Sequence, residues 1–106
     1  MPERRGDTRA SIEVTVELWG RNDSGAAFTQ SVKARNISVA GALLVGVQHK
    51  LRCGDVISIV KDRFHARFRV VWTRDSGTGS GSLVAIHKVN GQQCPWIEEL
   101  QLTAQQ

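Results

Sequence analysis

Ser11-Ile12-Glu13-Val14-Thr15-Val16-Glu17-Leu18-Trp19 alternates apolar and polar residues without a break. Ile12, Val14, Val16 and Leu18 fall on one face and Glu13, Thr15 and Glu17 on the other, as a half-buried strand requires. Phe64 to Trp72 repeats the pattern further on. There Phe64, Ala66, Phe68, Val70 and Trp72 share one face, and His65, Arg67 and Arg69 share the other. These two segments set the fold class, and the rest of the chain is read outward from them.

Gly20 to Gly25 is a turn, followed by a weaker strand over Ala26 to Ala34 with Phe28 and Val32 on one face. Gly41 to Val47 is an apolar run of strand length. Arg52-Cys53-Gly54-Asp55 turns into Val56 to Val60, which is rich in β-branched residues. The polar loop Lys61-Asp62-Arg63 leads into Phe64 to Trp72. Asp75 to Gly81 is a Gly/Ser loop. Ser82 to Val89 is the last strand, ended by Asn90-Gly91. Helical spacing of Trp96, Ile97 and Leu100 then predicts a short helix over about 95–102, with Pro95 suited to its first turn. Six short strands, each with one apolar face, are most economically closed into a barrel, because closure removes exposed edges. The expected fold is therefore all-β: a six-stranded antiparallel β-barrel with a short C-terminal helix. The expected division is a flexible arginine-containing arm over 1–10 and the barrel domain over 11–106.

Composition agrees with an ordinary folded chain. The 106 residues are 41% hydrophobic and 23% charged, which excludes a disordered polyelectrolyte. Ten of the 14 basic residues are arginines and the net charge is +4, a mild bias toward anionic partners. No apolar run approaches the roughly 20 residues of a membrane-spanning helix, and no apolar stretch follows the N-terminal charges as in a signal peptide. The expectation is a cytoplasmic protein with no membrane insertion. Cys53 and Cys94 read as buried or half-buried thiols in a reducing compartment, and His49, His65 and His87 have no metal-ligand spacing. There is no catalytic constellation, phosphate loop or nucleophile elbow, so the chain is not read as an enzyme.

Two polar motifs carry the functional signal. Arg4-Arg5-Gly6-Asp7-Thr8-Arg9 precedes the first strand, and Asn36-Ile37-Ser38-Val39-Ala40-Gly41 follows the second. Guanidiniums, an amide, a hydroxyl and a turn glycine suit a compact ligand with phosphates and planar bases. The pair is RxxxR (Arg5, Arg9, preceded by Arg4) and, 27 positions later, NxSxxG (Asn36, Ser38, Gly41). With Leu51, Gly54-Asp55 and Val70-Val71-Trp72 downstream, the chain resembles the PilZ domain family from Glu3 to about Leu100. The resemblance implies a six-stranded barrel that binds the second messenger cyclic di-GMP and needs no cofactor or metal. It implies that Arg5 and Arg9 clamp the ligand's phosphates and guanines. Asn36 and Ser38 would hydrogen-bond a guanine edge, and Gly41 would let the backbone approach. Arg4 matches an extra arginine associated with a stacked ligand pair, which leaves one or two ligands per chain open. Trp72 matches an aromatic that lies against a guanine in some members; its phase with Phe68 and Val70 equally suits the core.

Each motif also has a plainer reading. Asn36 and Ser38 can simply close a turn through side-chain to backbone bonds. Arg63, Arg67 and Arg69, with His65, can be a solvated basic face or a surface for an acidic partner or nucleic acid. The leading expectation is a receptor whose arm orders on cyclic di-GMP and whose altered surface is read by a downstream protein effector. Dimerisation or ligand-dependent oligomerisation stays open. The alternatives are a small barrel binding single-stranded nucleic acid, which is less favoured, or a PilZ-like protein-interaction module without a ligand.

Overall fold

A computed structural model describes residues 12–21, 24–75 and 81–104. Six strands, β1 (Val14–Arg21), β2 (Ala27–Arg35), β3 (Gly41–Val47), β4 (Val56–Lys61), β5 (Phe64–Asp75) and β6 (Ser82–Lys88), precede one helix, α1 (Ile97–Ala104). They form a closed barrel in the order β1-β2-β3-β6-β5-β4, with β4 returning to β1 and every pairing antiparallel. The expected all-β six-stranded barrel with a short C-terminal helix is the fold observed. The helix starts two residues later than its spacing suggests, because Pro95 and Trp96 form the turn that enters it. No helix among the described residues is long and apolar enough to cross a membrane.

The alternation of β1 is used as its residue types dictate. Val16 and Leu18 are buried while Thr15, Glu17 and Trp19 face outward. The interior is filled by these two with Val32, Ala34, Leu44, Ile57, Ile59, Ala66, Phe68, Val70, Val84 and Ile86. One end is covered by the chain around α1. Trp96 is fully buried with its ring 5.3 Å from that of Phe68, and Leu100 packs beside the same cluster. Burying an indole contributes on the order of 4–6 kcal/mol as an upper figure, enough to fasten a short helix that could not persist alone. Two ion pairs hold the outer face of α1: Lys61 Nζ to Glu99 at 2.5 Å, and Arg63 to Glu98 at 3.0 Å. Arg63 thus sits in the β4–β5 turn bound to the helix, not on the basic strand face expected for it.

Two register shifts shape the sheet. In β3, Gly46 is an extra residue at φ 82°, and Gln30 of β2 spans the irregularity by donating to the Gly46 carbonyl and accepting from the Gln48 N–H. In β5 the shift lies between Val70 and Trp72. Val70 pairs with Ile86, but Trp72 pairs with Ala85, so Val71 has no opposite number. Closure between β1 and β4 is narrow, resting on Glu17, Leu18 and Trp19 against Val60, Ile59 and Ser58. Of the two thiols, Cys94 is buried, but Cys53 is exposed in the turn before β4, contrary to the expectation that both are at least half covered.

Candidate functional site

The NxSxxG segment is a built turn between β2 and β3. Asn36 opens it at φ 50°, the left-handed region that asparagine tolerates better than most residues. Ile37 then plugs the core, fully buried. Ser38 closes the turn: its N–H donates to the Gly41 carbonyl at 2.8 Å. Its Oγ accepts from the N–H groups of Gly41 (3.1 Å) and Ala40 (3.2 Å) and donates to the Gly41 carbonyl at 3.3 Å. A hydroxyl has one donor and two acceptor sites, so this one is fully engaged within the turn. Ser38 is 3% exposed, and its carbonyl accepts the Trp96 indole N–H at 2.7 Å. The Lys88 N–H bonds the Ala40 carbonyl at 2.6 Å, tying the turn to β6 as well. Gly41 is required by proximity, since a Cβ there would overlap the Ile86 carbonyl oxygen. Beyond this fixed frame, the Asn36 side chain is exposed and has no hydrogen-bond partner among the described residues.

Trp72 arrives at the same place from β5. Strict alternation would put it inside with Phe68 and Val70. The bulge at Val71 moves it by one residue, so it stands over Ala85 on the outer face, 40% exposed. Of its two readings, core is therefore the one the geometry does not have. The guanidinium of Arg74 lies over the indole, 5.4 Å from the ring centroid.

These elements enclose a shallow cavity of about 350 Å³ on the outside of β3, β6 and β5. Asn36, Ser38, Gly41 and Trp72 all line it, although 30 residues separate the first three from the last. Its lining includes the small apolar Ala40, Ala42 and Ala85 together with Leu43, Val71 and His87, and no carboxylate among the described residues lines it. The small lining residues leave room beside the part-exposed indole for a planar ring, and the Arg74 guanidinium over that indole is a cation at its border. A larger groove of about 470 Å³ lies across the barrel, where β1 and β4 diverge beside Trp19. It contains none of the motif residues and is lined by the carboxylate-bearing Asp55, so size alone does not identify the site.

Arg4, Arg5 and Arg9 lie outside the described residues. A described residue close to them in sequence has a defined neighbour, however. Glu13, just before β1, accepts from Arg35 Nε at 2.6 Å, and Arg35 adjoins Asn36. That bond holds the Glu13 carboxyl below its ordinary value. The β1–β2 register thus brings the start of β1 beside the Asn36 turn, Val14 lying opposite Ala34.

Sequence reasoning passed over Arg74 and set His87 aside. Arg74 could have been found from its i+2 spacing to Trp72 on one strand. The place of His87 depends on the pairing of β6 with β3 and β5, which leaves no local signal. Compared with known family models, curated proteins and solved structures, the chain matches none.

Proposed function

We propose that the chain is a cyclic di-GMP receptor of the PilZ type, acting as an adaptor for a downstream protein and not as an enzyme. The observation that carries this reading is the convergence of Asn36, the Ser38–Gly41 turn and Trp72 on one carboxylate-free cavity. One guanine lies against the exposed Trp72 face, and the unpartnered Asn36 amide takes its polar edge. Ser38 and Gly41 hold the turn that presents Asn36. Arg5 and Arg9, with Arg4, supply the forks for two phosphates, each charge-assisted bond contributing on the order of 1.5–3 kcal/mol. The start of β1 lies beside Asn36, which supports arginines on the preceding segment sharing a ligand with that turn. A cavity near the lower end of the usual ligand-pocket range suits a ligand held between barrel and arm.

Calorimetric titration with cyclic di-GMP tests the proposal. Binding is expected in the micromolar range or tighter, and Arg5→Ala or Arg9→Ala should weaken it about tenfold or more with the barrel intact. Unchanged affinity in both variants would refute the reading. The stoichiometry of the same isotherm distinguishes a single ligand from the stacked pair that Arg4 suggests.

A further inference from the structure

The outer face of β5 is a second feature, adjoining the cavity at Val71 and His87, which line both. From Phe64 to Arg74 the strand contains His65, Arg67, Arg69 and Arg74 and no Asp or Glu. The neighbouring strands do not compensate. Val60, Ser58 and Val56 of β4 lie opposite His65, Arg67 and Arg69, and His87 of β6 lies opposite Arg69 on the other side. The Arg67 guanidinium has no ion pair or hydrogen bond among the described residues. That of Arg69 reaches only the neutral Gly54 carbonyl, at 3.3 Å. At the adjoining β4–β5 turn, by contrast, the basic groups have carboxylate partners: Arg63 has Glu98, and Lys61 has Glu99 and Asp62. The contrast is informative, because unmatched cations on one rigid strand repel each other and gain most from an external anion.

The stripe also has apolar borders. Val56 and Val71 are each 47% exposed, Val56 directly opposite Arg69 and Val71 at the bulge beyond it. Arg67 and Arg69 are two residues apart on one strand, so their side chains stand about 6–7 Å apart. Carboxylates at alternate positions of an extended peptide have the same spacing.

We infer that the β4–β5 outer face docks an acidic, extended segment of a partner protein. Alternate carboxylates engage Arg67 and Arg69, and an apolar side chain rests on Val56 or Val71. Nucleic acid fits this stripe less well. Phosphates would meet the guanidiniums, but the outward indoles, Trp72 and Trp19, stand at the borders of the stripe and none lies between His65 and Val71, and the exposed valines would have no counterpart. The inference does not depend on the cyclic di-GMP reading, and either can fail without the other.

The test is fluorescence anisotropy of the full chain with a labelled synthetic peptide of the length of β5, 12 residues, bearing Glu at alternate positions with Val and Thr between. A matching peptide with Gln for Glu and an oligothymidine of equal length are run beside it. The Glu peptide should bind and the Gln peptide should not. R67E/R69E should weaken binding about tenfold or more, while K33E/K50E, with the same charge change away from this strand, should change it less than about twofold. Amide shift mapping on the unaltered chain should place perturbations at residues 56–58 and 65–71. Equal losses in the two double variants, perturbations elsewhere, absent peptide binding or tighter oligothymidine binding would each overturn the inference.

Discussion

Ser38→Ala separates a residue that contacts ligand from one that holds the site. The hydroxyl satisfies the N–H groups of Gly41 and Ala40. In the alanine variant the Gly41 N–H is left in a buried position, which costs about 1–3 kcal/mol, while the half-buried Ala40 N–H can recruit water and loses about 0.5 kcal/mol. The Ser38 carbonyl still receives the Trp96 indole, so α1 stays docked and the loss is local. The sum is about 1.5–3.5 kcal/mol, or a fall in Tm on the order of 10 °C for a chain of this size. Urea unfolding followed by tryptophan fluorescence measures it, since Trp96 reports on the turn directly. A loss below about 0.5 kcal/mol with an unchanged denaturant slope would refute the reasoning. The hydroxyl would then be free to read a base edge, as the family resemblance implies.

Four other outcomes follow from the same geometry. Asn36→Gly should leave stability unchanged, since glycine accepts φ 50°, yet weaken cyclic di-GMP binding in calorimetry; Asn36→Ala should in addition lose about 1 kcal/mol to left-handed strain. Trp72→Ala should cost the fold only about 1 kcal/mol, being on the outer face, but abolish ligand-induced quenching of tryptophan emission. Iodoacetamide at neutral pH should label exposed Cys53 and spare Cys94, whose thiol burial pushes above its ordinary value of 9.0; mass spectrometry of the native protein checks this. Lys61 is held above its ordinary value of 10.5, chiefly by its bond to Glu99. Its folded value being the higher, its contribution on the alkaline side is complete below 10.5 and is lost as pH rises through the folded value, so the melting curves of wild type and Glu99→Gln, separate at neutral pH, should converge at strongly alkaline pH.

Much of the barrel was legible because its signals are local. A run such as Val14 to Leu18 can bury one face only as a strand, and Gly25, Gly54 and Gly91 mark turns through backbone freedom alone, whereas Gly20, expected in the first turn, lies inside β1. Strand ends were less legible: β1 begins at Val14 instead of Ser11 and β5 continues to Asp75, because pairing with β2 and β6 decides where a ladder stops. The basic strand face was visible as His65, Arg67 and Arg69 in phase. The removal of Arg63 from it was not, since that depends on Glu98 of a helix 35 residues away.

By itself, then, the sequence determined an all-β chain of six antiparallel strands with a helical end, and it marked Asn36, Ser38, Gly41 and Trp72 as the residues to watch. Only the tertiary structure decided where each of them stands and what it bonds. Period-two alternation assigns Trp72 to the core, and a single unpaired residue at Val71 reverses that by shifting the phase against β6. The same three-dimensional pairing places the Ser38 hydroxyl inside its own turn and leaves the Asn36 amide outside. The physical reason is that a side chain's face is a property of one strand, whereas register and hydrogen-bond partners belong to two strands at once.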